Sequence, residues 1–388
     1  MRIAIQGLGR MGRLFLRAAV DRGLDVVAVN EPKGTPETLA LGVEFDSVHG
    51  RYPHPVHGSA GRLLVGERAI MLRQESSPER LPWRDFGVDL VVECSGKIKQ
   101  RAGLDGHLHN GARHVLVSNP VPGARNLVVG VNDGGVDFAR EAVVTAASCT
   151  TNCLAPIVRV LHDTIGIARG LVTTVHDPTN TQGVVDRADA DPRRGRSALL
   201  NLIPTTTNSA TAVVEIVPEL AGKLDSIAVR APVLNASLTD CSFQLARPTT
   251  VDEVNRALRL ASESGRLRGV LGYETRPLVS SDFARDPRSA VVDALCTRVV
   301  DGTLTKVMAW YDNEWGYVNR MADLAQRFAA ARRGRRRRPA SGSSPRCIRR
   351  SRSATARCAC WCCCTSAARA RRRWPWRCSC CPTRPPAW

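Results

Sequence analysis

Along the first 150 positions the apolar residues fall in short runs broken by polar or glycine-bearing stretches, the pattern of buried strands alternating with helices. Ile3 to Ile5 is the first such run and "LDVVAVN", Leu24 to Asn30, the second. "VDLVVECSG", "ARHVLVSNP", "NLVVGVN" and "EAVVTAAS" follow, and each is read as a further strand. Unbroken apolar strands separated by helical stretches predict a parallel sheet buried on both faces, the doubly wound α/β class. Past Cys149 the pattern changes. "IAVRAPVLNASLTDCSFQLA" and "TRVVDGTLTKVMAWY" alternate apolar with polar positions, while "VDEVNRALRLASES" has helical spacing. Together they predict a second, α+β region: a largely antiparallel sheet covered by helices. "NRMADLAQRFAAA" predicts a closing amphipathic helix that packs back on the first half. The expected division is therefore 1–148 completed by a helix at 313–330, a second domain at 149–312, and a tail at 331–388.

The first strand runs into Gly7-x-Gly9-x-x-Gly12 and then a helical pattern. Such glycines give a tight turn, close approach of backbone to a pyrophosphate, and close packing of helix on strand, which makes the first domain a Rossmann-type dinucleotide site. Glu31 lies 19 residues after Gly12, where an acid accepts hydrogen bonds from the adenosine ribose. The other reading of Glu31 is a solvated acid at a strand end. As a ribose ligand it would repel a 2′-phosphate, favouring NAD over NADP, with Lys33 nearby acting the other way.

Composition changes the picture only at one end. The formal charge of +19 over 388 residues suggests a nucleic-acid partner, but 17 arginines and no acid lie from Ala331 to Trp388. Subtracting 17 from 19 leaves the remaining 330 residues at +2. Nine of the 14 cysteines also lie in that tail, and the five elsewhere are too scattered for a disulfide scaffold. No signal peptide or membrane-spanning run is apparent, so a reduced, cytoplasmic protein without membrane insertion is expected. The tail, "ARRGRRRRPASGSSPRCIRRSRSATARCACWCCCTSAARARRRWPWRCSCCPTRPPAW", has no helical or alternating period. It reads as a disordered, out-of-frame extension, as a cationic nucleic-acid-binding arm, or, with cysteines poorly spaced for it, as a zinc module. Disorder is expected there, and no metal elsewhere.

"AASCTTNCLAP", Ala146 to Pro156, ends a strand and opens a helical pattern. A disulfide, a metal site and a reactive thiol are the three readings of its cysteines. Ser148 is a candidate N-cap, which puts Cys149 in the first turn, where the helix dipole favours a thiolate. Cys153, one turn on, reads as a small buried residue. Pro156 should kink this helix or shift its hydrogen bonds. In "LVTTVHDPTNTQ" a strand, Leu171 to Val175, delivers His176 at its end. A histidine there is either a surface residue or the base that a nucleophilic thiol needs.

"SCTTNCLAP", "TTVH", "PRRGRSALLNLIPTTT", "PELAGKLDSIAVRAPVLNASLTD" and "WYDNEWGYVNRMADL" together resemble phosphorylating glyceraldehyde-3-phosphate dehydrogenase, from Met1 to about Ala330. "EFDSVHGRY", "HDPTNTQ", "PTTTNSATAV" and "LNASLTDC" resemble the subgroup linked to arsenate resistance, whose genes neighbour an exporter of the arsenylated product. The resemblance implies that Cys149 attacks the aldehyde of glyceraldehyde 3-phosphate and that His176 serves as its base. Inorganic phosphate or arsenate would then take the acyl group. It implies NAD contacts at Gly7, Gly9, Arg10, Met11, Gly12, Glu31, Ser118, Asn313 and Tyr317. It also implies a C3-phosphate site at Thr179 and Arg230, and an attacking-anion site at Ser148, Thr150, Thr207 and Asn208. Without it, Arg230 reads as a surface ion pair and Tyr317 as core packing. A homotetramer is implied as well, with no specific nucleic-acid partner. Several residues depart from the family pattern: Thr181 stands for an aspartate, Thr211 for a lysine, and Asn208 for a glycine whose left-handed backbone asparagine would tolerate.

Overall fold

The structure is a computed structural model in which residues 1–179 and 182–337 are described, the last four by backbone alone. Readings for Thr181 and for the tail beyond Arg337 lie outside those residues.

The first sheet holds β1 (Arg2–Gln6), β2 (Asp25–Asn30), β3 (Val56–Ser59), β4 (Arg62–Val65), β5 (Arg68–Arg73), β6 (Leu90–Glu93), β7 (His114–Val117), β8 (Arg125–Asn126) and β9 (Val143–Thr145). Their order is β3-β4-β5-β2-β1-β6-β7-β9-β8. From β5 to β8 every pairing is parallel, the doubly wound core that the apolar runs predicted. The β3–β4–β5 edge is antiparallel, so the sheet is mixed. Helices α1 (Arg10–Asp21), α2 (Pro36–Glu44) and the short α3 (Asp105–His109) connect these strands.

"NLVVGVN" is not the strand its apolar run suggested. Only Arg125 and Asn126 pair, and Leu127, Val128 and Val129 are buried in irregular backbone. Asn132 Oδ1 accepts from Val128 N at 2.8 Å, and Asp133 Oδ1 accepts from Gly130 N at 2.9 Å. Side-chain acceptors have replaced a neighbouring strand, and Gly130 turns the chain at φ 84°.

Helix α4 (Cys149–Thr164) leaves the end of β9 and leads into the second sheet. That sheet comprises β10 (Ile167–His176), β11 (Ile203–Thr206), β12 (Leu224–Arg230), β13 (Ser237–Leu245), β14 (Leu271–Glu274), β15 (Ala290–Val300) and β16 (Leu304–Tyr311). The order is β11-β12-β10-β13-β16-β15-β14, antiparallel except at β10–β12 and β14–β15. Helices α5 (Ser209–Ile216) and α6 (Val251–Glu263) pack against α4. Leu154, Ile157, Val158 and Leu161 of α4 are fully buried. Each such side chain contributes about 1.5–3 kcal/mol of transfer free energy before chain entropy is charged against it. Pro156 lies inside α4 without ending it.

The described residues end with α7 (Trp315–Arg337), which packs on α1. It is less amphipathic than expected, since Tyr317 to Ala322 are all buried, Asn319 and Arg320 among them. Arg22 of α1 pairs with Asp323 and donates to Asn319 Oδ1 at 2.5 Å, so charged groups as well as apolar ones fix the crossing.

Candidate active site

Two strand-to-helix turns leave the carboxyl ends of first-sheet strands β1 and β9. At the first, Gly7 has φ 89°, and its N–H donates to Asn30 O at 2.8 Å. A Cβ on Gly7 would lie 2.7 Å from Ser95 Cα, and one on Gly12 only 1.9 Å from Gly7 O. Gly9 has open space around it and caps α1 with no side-chain hydrogen bond. The first-turn amides of α1 thus meet no side-chain cap, the arrangement that receives a phosphate. Glu31 Oε2 accepts from Leu8 N at 2.8 Å, and Oε1 from Lys33 N at 3.1 Å. The carboxylate lies against the glycine loop, in a cleft that Lys33, Ser95 and Lys97 also line. These residues fit a dinucleotide.

Arg10 is engaged by the protein itself. Its Nε donates to Glu314 Oε1 at 2.8 Å, and its guanidinium also pairs with Asp46, a network that His49 joins at 3.0 Å from Glu314. Met11 packs on the core, and Ser118 follows β7 with its N–H on Glu93 O.

The second turn is an elbow at Ala146–Cys149. Ala147 has φ 54°, rare for a residue with a Cβ, and is held at both ends. Its N–H donates to Thr145 Oγ1 at 3.1 Å, and Tyr317 donates its hydroxyl to Ala147 O at 3.0 Å. The amide of Asn152 donates to Ala146 O at 2.7 Å and Ser148 O at 2.9 Å. Ser148 is the predicted N-cap: its Oγ accepts from Thr151 N at 3.1 Å. Cys149 is the first helical residue and half-exposed, whereas Cys153 is fully buried and its thiol is pushed up to about 12 by burial. Of the two cysteines, Cys153 is thereby held as a neutral thiol.

β10 carries His176 to that elbow. Its Nε2 is 3.6 Å from Cys149 Sγ. Parallel register places Arg230 of β12 directly opposite His176, so the two meet by strand pairing alone. Three groups surround Nδ1: Asp177 Oδ1 at 2.6 Å, Asp177 O at 2.8 Å and Arg230 Nη1 at 2.7 Å. A guanidinium only donates, so it would require a bare Nδ1, whereas the carboxylate requires Nδ1–H. The carboxylate contact is the shorter, and Arg230 Nη1 has its own acceptor in Asp177 O at 2.8 Å. Burial would lower the His176 pKa, but the Asp177 carboxylate and the Cys149 sulfur outweigh it and hold the ring cationic to about 9. Burial acts on Arg230 too and lowers its pKa, against the attraction of Cys149 and Asp177.

The other predicted residues divide. Asn313, buried, donates from Nδ2 to Asp177 Oδ2 at 3.0 Å and accepts from Ser237 Oγ at 3.4 Å. It therefore belongs to the His176 cluster. Thr150 shares a 2.9 Å hydrogen bond with the hydroxyl of Tyr311, whose ring lies edge-on to His176. Thr179 is exposed and donates to Gln182 Oε1 at 3.0 Å. Thr207 and Asn208 lie between β11 and α5, where Thr207 bonds Ser209 rather than the thiol. The backbone of Asn208 has φ −102°, not the left-handed value expected of a glycine substitute; capping α5 needs no positive φ.

Sequence reasoning missed Asp177, Asn152, Thr145 and Tyr311. Asp177 directly follows His176 and reads as an ordinary acid in a loop; only the fold turns it inward.

Residues 1–101 match the model of the glyceraldehyde 3-phosphate dehydrogenase NAD-binding domain, and residues 148–313 match that of the C-terminal domain. The chain is 54% identical over 331 residues to glyceraldehyde-3-phosphate dehydrogenase 3 of Nostoc sp., covering 85% of this chain and 98% of that one. It is 49% identical over 337 residues to the Pseudomonas aeruginosa glyceraldehyde-3-phosphate dehydrogenase, covering 86% and 99%. The plasmid-encoded enzyme of Cupriavidus necator is 46% identical over 340 residues, 86% and 99% of the two chains. With its thiol, histidine and glycine turn set on these two sheets, the chain belongs to the glyceraldehyde-3-phosphate dehydrogenase family of NAD-dependent oxidoreductases.

Proposed function

We propose that the chain oxidises glyceraldehyde 3-phosphate through a thioester on Cys149, with inorganic phosphate or arsenate as the acyl acceptor. One observation carries this reading: a half-exposed thiol at the start of a capped helix, 3.6 Å from an imidazole kept cationic by a buried carboxylate. The sulfur attacks the aldehyde carbon, the C–S bond forms, and the carbonyl electron pair moves to oxygen. His176 Nε2 and the amide of Cys149, which meets no acceptor among the described residues, stabilise that oxygen. Bound NAD supplies the acceptor for the hydride that leaves this carbon. His176, left neutral once its Nε2–H has protonated that oxygen, takes the proton back as the hydride leaves and the carbonyl re-forms, giving the thioester. An oxygen of the second anion then attacks, the C–S bond breaks, and Cys149 leaves as thiolate. The products are 1,3-bisphosphoglycerate or 1-arseno-3-phosphoglycerate.

Residues 1–148 with 313–330 would hold the dinucleotide, and 149–312 the substrate. Arg230 beside His176 supports a C3-phosphate site there, with Thr179 as its second donor. Ser148, Thr150, Thr207 and Asn208 would serve the attacking anion. Their hydroxyl and amide groups suit any tetrahedral oxyanion, and phosphate and arsenate are near-isosteric. The arsenate role, cytoplasmic and paired with an exporter of the unstable product, rests on the sequence resemblance. No helix among the described residues is long and apolar enough to cross a membrane. Val184, Val185, Leu199, Leu200 and Leu202 are exposed on the loop between β10 and β11. Exposed apolar side chains of that kind support a homotetramer, which sedimentation would reveal.

The deciding experiment is steady-state NADH formation from glyceraldehyde 3-phosphate with phosphate and with arsenate in turn. Turnover with both is expected. Brisk phosphate turnover beside none with arsenate would leave an ordinary glycolytic enzyme. The rival in which the 17 tail arginines bind nucleic acid predicts salt-dependent RNA or DNA binding that a chain ending at Ala330 loses.

A further inference from the structure

We propose that Asp177 is a positioning residue that sets the hydrogen-bond polarity of both His176 and Asn313, making a Cys149–His176–Asp177 triad whose third member also orients the nicotinamide-side amide. The inference rests on the reading of Cys149 and His176 as nucleophile and base.

The argument starts from what a carboxylate is able to do. An ionised carboxylate only accepts hydrogen bonds, so every group that touches it must present a proton. Asp177 Oδ1 is 2.6 Å from His176 Nδ1, and Oδ2 is 3.0 Å from Asn313 Nδ2. On one side this fixes the proton at Nδ1, so the neutral ring offers its lone pair at Nε2, the nitrogen 3.6 Å from Cys149 Sγ. On the other side it fixes the flip of the Asn313 amide, with its NH2 toward Asp177 and its Oδ1 left as an acceptor. Among the described residues Ser237 Oγ is the partner of that Oδ1, at 3.4 Å, a weak contact that a carboxamide N–H can displace.

Asp177 is itself held for the task. Its side chain is buried, its N–H and Oδ1 both lie 3.4 Å from Ser237 Oγ, and its carbonyl accepts from Arg230. The titratable or charged groups facing His176 are Asp177, Cys149 on α4, Arg230 on β12 and Tyr311 on β16. Only Asp177 among them is a carboxylate. Removing its charge leaves Arg230 opposing the imidazolium without that carboxylate to offset it.

The test is Asp177→Asn, which keeps size but presents either a donor or an acceptor. Histidine-selective NMR titration reads His176, iodoacetamide alkylation reads Cys149, and steady-state kinetics give kcat and the KM for NAD. Expected are a His176 midpoint shifted toward acid, slower alkylation at neutral pH, kcat lower by about tenfold or more, and a raised KM for NAD. A His176 midpoint equal to wild type overturns the proposal, even where the variant is less stable. Where the variant does not fold, the wild-type spectrum still decides: an Nδ1 found unprotonated above pH 9, where the ring is neutral, overturns it. Neither titration nor alkylation needs turnover. A wild type that forms no NADH would sink the dehydrogenase reading and leave the triad to be judged separately.

Discussion

The glycine turn at Gly7–Gly12 and the thiol elbow at Ala146–Cys149 are built alike and finished differently. Each carries the chain from the carboxyl end of a first-sheet strand into a helix, and each contains a residue with positive φ. At Gly9 the helix start has no side-chain cap, so its amides await an external anion. At Ser148 the cap comes from the chain, and the first helical residue supplies the reactive group. The same amides and dipole thus serve a visiting phosphate in one place and a resident sulfur in the other.

The largest expected effect breaks the second turn's chemistry alone. Cys149→Ser should lower NADH formation by about a thousandfold or more while NAD binding, followed by fluorescence, stays within twofold or so. Gly12→Ala attacks the first turn. The added Cβ would lie 1.9 Å from Gly7 O, so the turn must open. Loss of about 2–4 kcal/mol in denaturant unfolding is expected, with weakened NAD binding and a thiol that still alkylates. A smaller effect separates the turns by pH. His176 titrates near 9, above its ordinary 6.5, so its share of stability is complete below about 6.5 and is lost as pH rises through 9. Melting temperatures should fall over that window, and the His176→Asn variant should lack that component of the fall. The mildest change makes the first turn resemble the second. Gly9→Ser has room for its Cβ and can cap α1, so stability should rise by up to about 1 kcal/mol as NAD affinity falls. Unchanged NAD affinity would show that the open amides are not what holds the cofactor.

What was legible in the sequence was what local rules govern. The cap at Ser148, the glycines, the strand ending in His176 and the closing helix all follow from neighbours within a few positions. The strand expected at "NLVVGVN" failed because Asn132 at its end and Asp133 just beyond it supply side-chain acceptors to its backbone. The resemblance lets Asn208 take a glycine's left-handed backbone, and the start of α5 needs none. Asp177 was invisible because its partners, Ser237, Arg230 and Asn313, come from three remote segments that only sheet pairing assembles.

The packing of α7 on α1 bears on how the polypeptide comes to be. Arg10, Arg22 and the carbonyl of Ala147 find their partners Glu314, Asp323 and Tyr317 only near residue 320. A nascent chain on the ribosome therefore holds its nucleotide half unfinished until α7 emerges. A protease pulse during translation should find early Rossmann strands unprotected long after they have been synthesised.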